Sequence, residues 1–394
     1  MWPLEGIRVL DLSRVLAGPF VGRMLSDLGA DVVKVEPPDG DVTRHFGRRR
    51  GGQSGYYAQW NAGKRNISID LRAPDGAEVV RRLATRADVV VENFRPGVLD
   101  RYDLGWEALS AANPSLVMLS ISGFGQEGPE QARAAYAGII HAESGWLARQ
   151  ADLTGGAPFD TRLSVADTNA GLHGLVAILA GLRVRDATGE GQHIDLAMID
   201  AFVATDDYAH WALDDAPVGP GGGEVWDTPD GRLIVMGDFR WVWKCAAERL
   251  GLADPTPAGA SLEEKITLRR RAWAEYVASF TDRAELLAAL DRANLAWGVV
   301  TEGPEVFASP TLAHRGTLVE LDDRAGGTRQ VIRSPYRFSG AESGPRGPAP
   351  HRGEHNHEVM RDWLDLDTAA VDGLLRRGVL VAEPTGEPPA ATDT

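Results

Sequence analysis

The sequence has 394 residues, of which 43% are hydrophobic and 25% are charged, values typical of ordinary globular proteins. This length favours a large domain with a smaller partner, since one hydrophobic core rarely organises so many residues. The formal net charge of −15 argues against nucleic acid or an anionic membrane as a partner, because a polyanion requires a basic surface on the protein.

Cysteine usage and the chain ends indicate a cytoplasmic protein without a membrane anchor. Cys245 is the single cysteine, which excludes an internal disulfide and a cysteine-based zinc site. We expect it to be a small buried hydrophobic residue. The first residues lack the basic and apolar regions of a signal peptide, and no run of about 18 apolar residues is present. Residues 381–394 are rich in Pro, Ala, Thr and Glu and predict a tail with little to bury.

Hydrophobic runs and helix signals alternate over the first 121 residues, as in βαβ units. Pro19 stands in the first turn of a predicted helix, a position that tolerates its missing N–H. The alternation predicts an α/β fold with a largely parallel sheet. The predicted strands are residues 7–12, 30–35, 88–92 and 116–121, and the predicted helices are residues 17–28, residues 76–85 and a segment around Trp106.

Beyond residue 165 the pattern changes to long helices, predicted at 168–184 and 198–213. Residues 217–223, rich in Pro and Gly, are the best candidate for a domain boundary. A hairpin at 226–237 and helical segments through about residue 290 predict a second, smaller domain. Three tryptophans near its start, Trp226, Trp241 and Trp243, fit either the core of that domain or a pocket for an acyl group.

Two patterns that resemble cofactor or metal sites lack the surroundings that such sites need. Glu36 closes the second strand, where a ribose-binding acid would stand, but the turn at residues 13–22 lacks the closely spaced glycines required for a pyrophosphate. We therefore expect no NAD or FAD. His351 and His355 match a zinc-protease spacing, but the prolines and glycine between residues 348 and 353 would break the helix on which both must lie. No Gly-x-Ser-x-Gly nucleophile motif is present either.

Asp167 admits two interpretations. It stands just ahead of the helix predicted to begin near Thr168, where an Asp side chain caps free N–H groups and interacts favourably with the helix dipole. The same position keeps a carboxylate ionised and forward-facing, as a carboxylate nucleophile requires. Local sequence alone does not separate a cap from a catalyst.

The glycine cluster Gly221, Gly222 and Gly223 also has two interpretations. It fits a flexible linker between domains. It equally fits a mobile loop that closes over a reactive intermediate, offers backbone N–H donors and keeps water out.

The sequence resembles the family III CoA-transferases over nearly the whole chain, and seven ordered segments between residues 3 and 195 carry the resemblance. This group includes formyl-CoA transferase and carnitine CoA-transferase and is related to α-methylacyl-CoA racemase. The segments are PLEGIRVLDL (3–12), AGP (17–19), LGADVVKVEP (28–37), NAGKRNISIDL (61–71), VENFRPG (91–97), SGFGQEGP (122–129) and TGEGQHID (188–195).

The resemblance implies an α/β fold with a Rossmann-like large domain built from both chain ends and a smaller α+β domain. It also implies a homodimer of two ring-like, interlinked subunits. The expected limits are 1–200 for the N-terminal part of the large domain, 201–224 for a linker helix and glycine loop, 225–325 for the small domain, and 326–394 for the return to the large domain and the tail.

The resemblance places the catalytic aspartate of the family at Asp167 and its active-site glycine loop at Gly221–Gly223. Arginines among the implied CoA contacts suit phosphate, because a guanidinium group binds phosphate in a bidentate way. The implied CoA-binding residues are Leu16, Ala17, Ile69, Arg72, Asn93, Phe94, Arg95, Arg101 and Tyr136.

The implied activity is transfer of CoA from an acyl-CoA thioester to a carboxylic acid through an aspartyl anhydride and an aspartyl-CoA thioester. Neither a metal nor a permanently bound cofactor is expected, since thioester energy is conserved throughout. The alternatives are an acyl-CoA racemase or epimerase and a catalytically silent CoA-binding protein.

Four positions depart from related patterns. Leu16, Pro37 and Ala137 replace a substrate-near Gln, a CoA-contacting Arg and an acidic residue of formyl-CoA transferase, so oxalate and formate are not expected as substrates. Tyr136 and Ala137 stand where the racemases have an essential His followed by Asp, so the base for α-proton removal is missing at that position. His141 lies five residues beyond Tyr136 and is not expected to replace it.

Overall fold

A computed structural model describes residues 1–216 and 222–383. The chain divides into two compact units, Met1–Asp207 with His314–Thr394, and Tyr208–Ala313. These limits differ from the predicted small domain, 225–325. Residues 318–332 form a hairpin whose Arg329 donates to the backbone carbonyl of Ser54 at 3.1 Å, and this contact ties the hairpin to the first unit.

The strands are numbered in chain order. They are β1 (Arg8–Asp11), β2 (Asp31–Glu36), β3 (Arg49–Arg50), β4 (Gln53–Ser54), β5 (Arg65–Ser68), β6 (Val89–Glu92), β7 (Val117–Ser122), β8 (Gln192–Ala197), β9 (Gly223–Thr228), β10 (Gly231–Met236), β11 (Trp297–Val299), β12 (Leu318–Asp322) and β13 (Thr328–Ile332).

The α-helices are numbered in the same way. They are α1 (Ala17–Asp27), α2 (Gly55–Asn61), α3 (Gly76–Ala84), α4 (Trp106–Ala112), α5 (Ala137–Glu143), α6 (Trp146–Thr154), α7 (Val165–Thr188), α8 (Met198–Ala204), α9 (Ala209–Leu213), α10 (Phe239–Leu250), α11 (Leu262–Ala278), α12 (Arg283–Arg292), α13 (Pro310–His314), α14 (Asn356–Leu364) and α15 (Thr368–Arg376).

A six-stranded parallel sheet organises the first unit, in the order β5-β2-β1-β6-β7-β8. Taken along the chain this is the 3-2-1-4-5-6 order of Rossmann folds. The sheet is apolar on both faces, since Leu10 joins a core covered by α3, α14 and α15, while Val9 joins a core covered by α1, α5, α7 and α8. The predicted α/β class with a parallel sheet is confirmed, and small antiparallel sheets accompany it.

The long helix α7 packs closely against the sheet. A Cβ atom at Gly174 would lie 2.8 Å from Leu119, and one at Gly181 would lie 3.0 Å from Val117, so these glycines let the helix approach β7. By length and composition alone α7 could cross a membrane, although 44% of its most apolar window is buried inside the protein. A helix from a globular core meets the same criterion.

The second unit contains the hairpin predicted at 226–237, formed by β9 and β10, with β11 as a third strand. Its core contains Cys245 and Trp243, both buried, and Trp226 packs against Trp273 at 6.5 Å between ring centroids. Trp241 is 47% exposed. Two of the three tryptophans considered for an acyl pocket are thus core residues.

The predicted C-terminal tail begins later than residue 381. The N–H of Val381 donates to Ser68 at the end of β5, and Glu383 pairs with His351 at 3.2 Å. These contacts fix residues 381–383 on the large unit, because the edge of β5 offers free backbone acceptors. The rest of the predicted tail lies outside the described residues.

Candidate active site

Asp167 lies inside the first turn of α7, at its third residue. The helix begins at Val165, three residues earlier than predicted, and its N-cap residue is Ser164, which makes no side-chain capping hydrogen bond. Asp167 therefore does not occupy the N-cap position, although it lies among the free N–H groups of the first turn. An aspartate is favourable both at the cap and within the first turn, so its identity did not fix the position.

Backbone N–H groups from three helix starts act on the Asp167 carboxyl group. Burial raises its pKa to about 6, while the N–H groups of Ala17, Ala137 and Asp167 itself act in the opposite direction. Ala17 is the first residue of α1 and Ala137 the first of α5. Burial makes this carboxylate easier to protonate than an ordinary aspartate. It is mostly ionised at neutral pH.

An aromatic wall that includes Tyr56 lies near Asp167. Burial and the charge of Asp167 together raise the pKa of Tyr56 to about 12, which keeps this phenol neutral. The Tyr56 ring lies 5.6 Å from Phe46 and 6.5 Å from Trp60, and Trp60 lies 5.2 Å from Phe20. The wall is apolar, with one hydroxyl group close to the carboxylate.

The turn between β1 and α1 is held in an unusual conformation. Val15 has φ of 68°, a left-handed value that is strained for a β-branched residue. Its N–H donates to Asp41 Oδ2 at 3.2 Å. Lys34 Nζ donates to the carbonyl of Ser13 at 2.9 Å and pairs with the Asp41 carboxylate at 3.1 Å. These contacts fix the backbone that leads to the N–H of Ala17.

A second buried ion pair supports the same turn. Lys64 Nζ donates to Asp11 Oδ2 at 2.8 Å and to the carbonyl of Pro19 at 3.0 Å, and neither charged side chain is exposed. The other carboxylate oxygen of Asp11 accepts from the N–H of Ser13 at 3.0 Å. Asp11 and Lys64 therefore join β1, the turn and α1 into one rigid element.

A cavity of about 600 Å³ opens at the carboxyl ends of β1, β2, β5 and β6. Ligands of open α/β sheets bind at such edges, where the strand order reverses. Arg14 and Asp41 line it near the strained turn, and Ile69, Arg72 and Phe94 line it further along the sheet. Its volume and position suit a large ligand with an apolar part.

Comparisons with known proteins identify the family. The sequence profile described as CoA-transferase family III matches residues 4–356. The chain belongs to this family. It is 35% identical to the succinate–glutarate CoA-transferase of Agrobacterium fabrum, over 93% of this chain and 97% of that one. It is 31% identical to the succinyl-CoA:glutarate CoA-transferase of Homo sapiens, over 96% of this chain and 90% of that one.

A solved structure agrees with this membership. The crystal structure of a CaiB/BaiF family protein from Brucella suis superimposes with a TM-score of 0.79 at 34% identity, covering 92% of this chain and 99% of that one. The chain is thus a family III CoA-transferase, and its substrates are CoA thioesters and carboxylates.

The predicted CoA-binding residues of this CoA-transferase fall into two groups. Ile69, Arg72 and Phe94 line the cavity directly. Asn93 binds the backbone of Arg14 through two hydrogen bonds of 2.8 Å and so shapes the cavity wall. The remaining predicted residues, Leu16, Ala17, Arg95, Arg101 and Tyr136, do not line the cavity.

Those remaining residues lie around the turn and on the surface. Leu16 and Ala17 are buried at the start of α1, and Tyr136, 65% exposed, immediately precedes Ala137. Arg95 and Arg101 have exposed side chains, and within the described part of the chain neither pairs with an acidic group. Arg72, by contrast, pairs with Asp70 at 3.1 Å. The guanidinium groups of Arg95 and Arg101 are therefore more available to an anionic ligand than that of Arg72.

The structure describes only two glycines of the cluster, Gly222 and Gly223. Gly221 lies outside the described residues. Gly222 precedes β9 and Gly223 begins it, in the second unit. A Cβ atom at Gly223 would lie 2.8 Å from the Val235 carbonyl, so this position packs closely against β10 and admits no larger residue without rearrangement.

Sequence reasoning missed a histidine next to the nucleophile candidate. His141 Nε2 accepts a hydrogen bond from the N–H of Ala166 at 3.1 Å, and its Nδ1 lies 2.8 Å from Asp160 Oδ1. The spacing from His141 to Ala166 is 25 residues and includes the whole of α6. No periodic signal could have joined the two.

If Asp167 is the residue that accepts the acyl group, the rate of that step depends on pH because the pKa of Asp167 is raised. Only the ionised carboxylate is nucleophilic, so the single-turnover rate constant with an acyl-CoA is expected to rise about tenfold per pH unit below pH 6 and to level off above about pH 7. Rapid-quench measurements between pH 4.5 and 8 test this. A flat profile over that range would mean an ordinary aspartate and contradict the burial argument.

Proposed function

We propose that this chain moves CoA from succinyl-CoA, or a closely related acyl-CoA, to a dicarboxylic acid, with Asp167 as the covalent carrier. The observation that carries this proposal is the partly buried Asp167 carboxyl group in the first turn of α7, whose ionised form is favoured by the backbone N–H groups of Ala17 and Ala137. The named relatives, which act on succinyl-CoA or succinate and glutarate, support the substrate class.

The reaction proceeds in two symmetrical halves. An oxygen of Asp167 attacks the donor thioester carbonyl, the C–S bond breaks, and a mixed anhydride and CoA thiolate form. The thiolate then attacks the Asp167 acyl carbon, which releases the donor as a free carboxylate and leaves an aspartyl-CoA thioester. The acceptor carboxylate attacks this thioester, a second anhydride forms, and CoA thiolate completes the exchange and restores Asp167. No electrons enter or leave.

The N–H groups around Asp167 suit this chemistry. Each addition step places negative charge on a carbonyl oxygen, and fixed N–H donors in a partly buried site stabilise such charge. Ala17 is fixed by the strained turn and its buried ion pairs, so its N–H needs little rearrangement during the reaction. Burial also raises the energy of the ionised Asp167, which favours its conversion to a neutral ester-like intermediate.

We place CoA in the cavity at the carboxyl ends of the strands. Within the cavity the apolar side chains of Ile69 and Phe94 suit the adenine and Arg72 suits a phosphate. The exposed Arg95 and Arg101, which do not line the cavity, would bind phosphate groups outside it. Leu16, Ala17, Asn93 and Tyr136 would contact the part of CoA that leads to Asp167. Local arginines are needed, because the net charge of −15 repels a polyanion from the protein as a whole.

We further propose the interlinked, ring-like homodimer, in which the glycine loop at Gly221–Gly223 closes over the anhydride. An apolar stripe on α7 supports a partner surface: Leu172, Val176 and Leu179 are 45%, 64% and 38% exposed at helical spacing. Light scattering should then give twice the mass of one chain, and a monomer at micromolar concentration would refute the dimer.

We place the enzyme in the cytoplasm, with no permanent cofactor.

Chemical trapping tests the covalent role of Asp167. Incubation with succinyl-CoA followed by hydroxylamine should convert Asp167 to a hydroxamate, and borohydride should reduce its thioester to an alcohol. Mass spectrometry of the peptide that contains Asp167 detects both products. Modification of any other acid, with Asp167 unchanged, would overturn the proposal.

The racemase alternative requires a base for the α-proton. Tyr136 and Ala137 stand where the racemase pattern has His and Asp, and both ring nitrogens of His141 are already hydrogen-bonded. We therefore expect no deuterium exchange at the α-carbon of an acyl-CoA in D2O without an acceptor acid. A silent CoA-binding protein would bind CoA in calorimetry but would give neither a trapped product nor turnover.

A further inference from the structure

The helix that carries Asp167 has no cap of its own. Ser164, at the N-cap position, makes no side-chain hydrogen bond, so the free N–H groups of the first turn need acceptors from elsewhere. The N–H of Ala166, immediately before Asp167, finds one in His141 Nε2 at 3.1 Å. A residue of α5 thus replaces the missing cap of α7.

The hydrogen bonds assign the proton on His141. Because Nε2 accepts from a backbone N–H, the ring proton must lie on Nδ1, which donates to Asp160 Oδ1 at 2.8 Å. A proton on Nε2 would face the N–H of Ala166, donor against donor. Asp160 therefore selects the one neutral form of His141 that can cap α7.

The imidazole is also held sterically. His141 has no exposed surface, and its ring contacts Trp146 edge-on at 4.7 Å and Phe202 at 5.3 Å between centroids. Asp160 packs over the first turn of α5, since a Cβ atom at Gly138 would lie 2.7 Å from its carboxylate. The ring has no room to turn away from Ala166.

One short helix therefore holds Asp167 at two points. The N–H of Ala137, the first residue of α5, acts to lower the pKa of Asp167, and His141, one turn later, accepts a hydrogen bond from the backbone next to Asp167. A displacement of about 1 Å at a reacting group can cost on the order of 10²-fold in rate. The first turn of α7 must therefore be kept from fraying during each attack and release.

We propose that His141, oriented by Asp160, is a positioning residue that caps α7 and holds Asp167 in line with the thioester. The inference rests on the proposed covalent role of Asp167. It assigns no proton transfer to His141, since neither nitrogen is free in this arrangement.

Two amide substitutions separate the cap from the contact with Asp160. In His141→Gln, the amide oxygen reaches the place of Nε2 and can accept from Ala166. In His141→Asn, the shorter amide reaches only the place of Nδ1, keeps its donor toward Asp160 and leaves the Ala166 N–H unpaired. Asp160→Asn is the matched control, because its amide oxygen still accepts from Nδ1.

The measurement is the rapid-quench rate of Asp167 modification by succinyl-CoA, with the dissociation constant for CoA and the melting temperature measured in parallel. We expect His141→Gln and Asp160→Asn to react within about 5-fold of the unmodified protein, and His141→Asn to react about 10- to 100-fold more slowly with CoA affinity unchanged. Both His141 variants should lose thermal stability, because both open a small cavity, and His141→Asn should lose more, because it also leaves the Ala166 N–H unpaired.

The outcomes distinguish this inference from the proposed function. Modification of Asp167 in the unmodified protein, with His141→Asn as fast as His141→Gln, overturns the positioning role alone. Equal slowing of the two variants, in proportion to their lost stability, also overturns it, since a purely structural histidine behaves in that way. If succinyl-CoA never modifies Asp167 in the unmodified protein, the covalent mechanism and the positioning role fall together.

Discussion

Asp167→Asn is expected to lower kcat for CoA exchange by at least about 10³-fold, because an amide cannot form the anhydride on which both halves of the reaction depend. The dissociation constant for CoA should change little, since the cavity residues are untouched. Steady-state exchange between succinyl-CoA and glutarate measures kcat, and calorimetry measures CoA binding. Asp186→Asn, at the other end of α7 and largely exposed, is the matched control and should retain full activity.

The same substitution should stabilise the protein at neutral pH. The pKa of Asp167 is raised to about 6 in the folded protein from 3.8, so its contribution to stability is present below about pH 4 and lost as the pH rises through 6. Asparagine does not ionise, so the variant keeps the free energy of unfolding that ionisation of Asp167 costs. This cost is up to about 3 kcal/mol at pH 7. Thermal melts at pH 7 and pH 4 measure the difference. A variant that is inactive and also less stable at pH 7 would point to misfolding rather than to a lost nucleophile.

Local patterns in the sequence predicted most of the parallel sheet. The runs at residues 7–12, 30–35, 88–92 and 116–121 correspond to β1, β2, β6 and β7, because a sheet buried on both faces selects short continuous apolar strands. The predicted helix limits agree less well with the structure than the predicted strands do. The start of α7 was predicted three residues late, since its cap is His141 and not a side chain next to it in sequence.

The site itself depends on contacts between distant segments. The N–H groups of Ala17 and Ala137 meet Asp167 only after β1, β7 and α7 have packed together. Family resemblance selected Asp167 as a nucleophile, whereas local sequence favoured a helix cap. Neither resemblance nor periodicity pointed to Asp41 or Lys64, because a buried charge leaves no signal in a sequence until its partner is known.

Breaking the buried pair between Lys64 and Asp11, next to the turn between β1 and α1, is expected to have the largest effect on the free energy of unfolding. Lys64→Met removes the cation that binds Asp11 at 2.8 Å and leaves a fully buried carboxylate facing the carbonyl of Pro19. The loss of one partner from a buried pair costs about 3–5 kcal/mol. Urea unfolding, followed by circular dichroism, measures the free energy of unfolding. Arg81→Met, which breaks an exposed pair with Glu78 on α3, is the matched control and should change it far less.

A double variant separates the two contributions to this effect. In Lys64→Met with Asp11→Asn, the charge is gone but the amide oxygen can still accept from the N–H of Ser13, so the double variant should be more stable than Lys64→Met alone. Its turn should nevertheless be looser, because Lys64 no longer links Asp11 to Pro19 at the start of α1. Exchange activity should therefore remain below that of the unmodified protein even where stability recovers. Full recovery of both would mean that the pair serves folding alone and does not hold the Ala17 N–H toward Asp167.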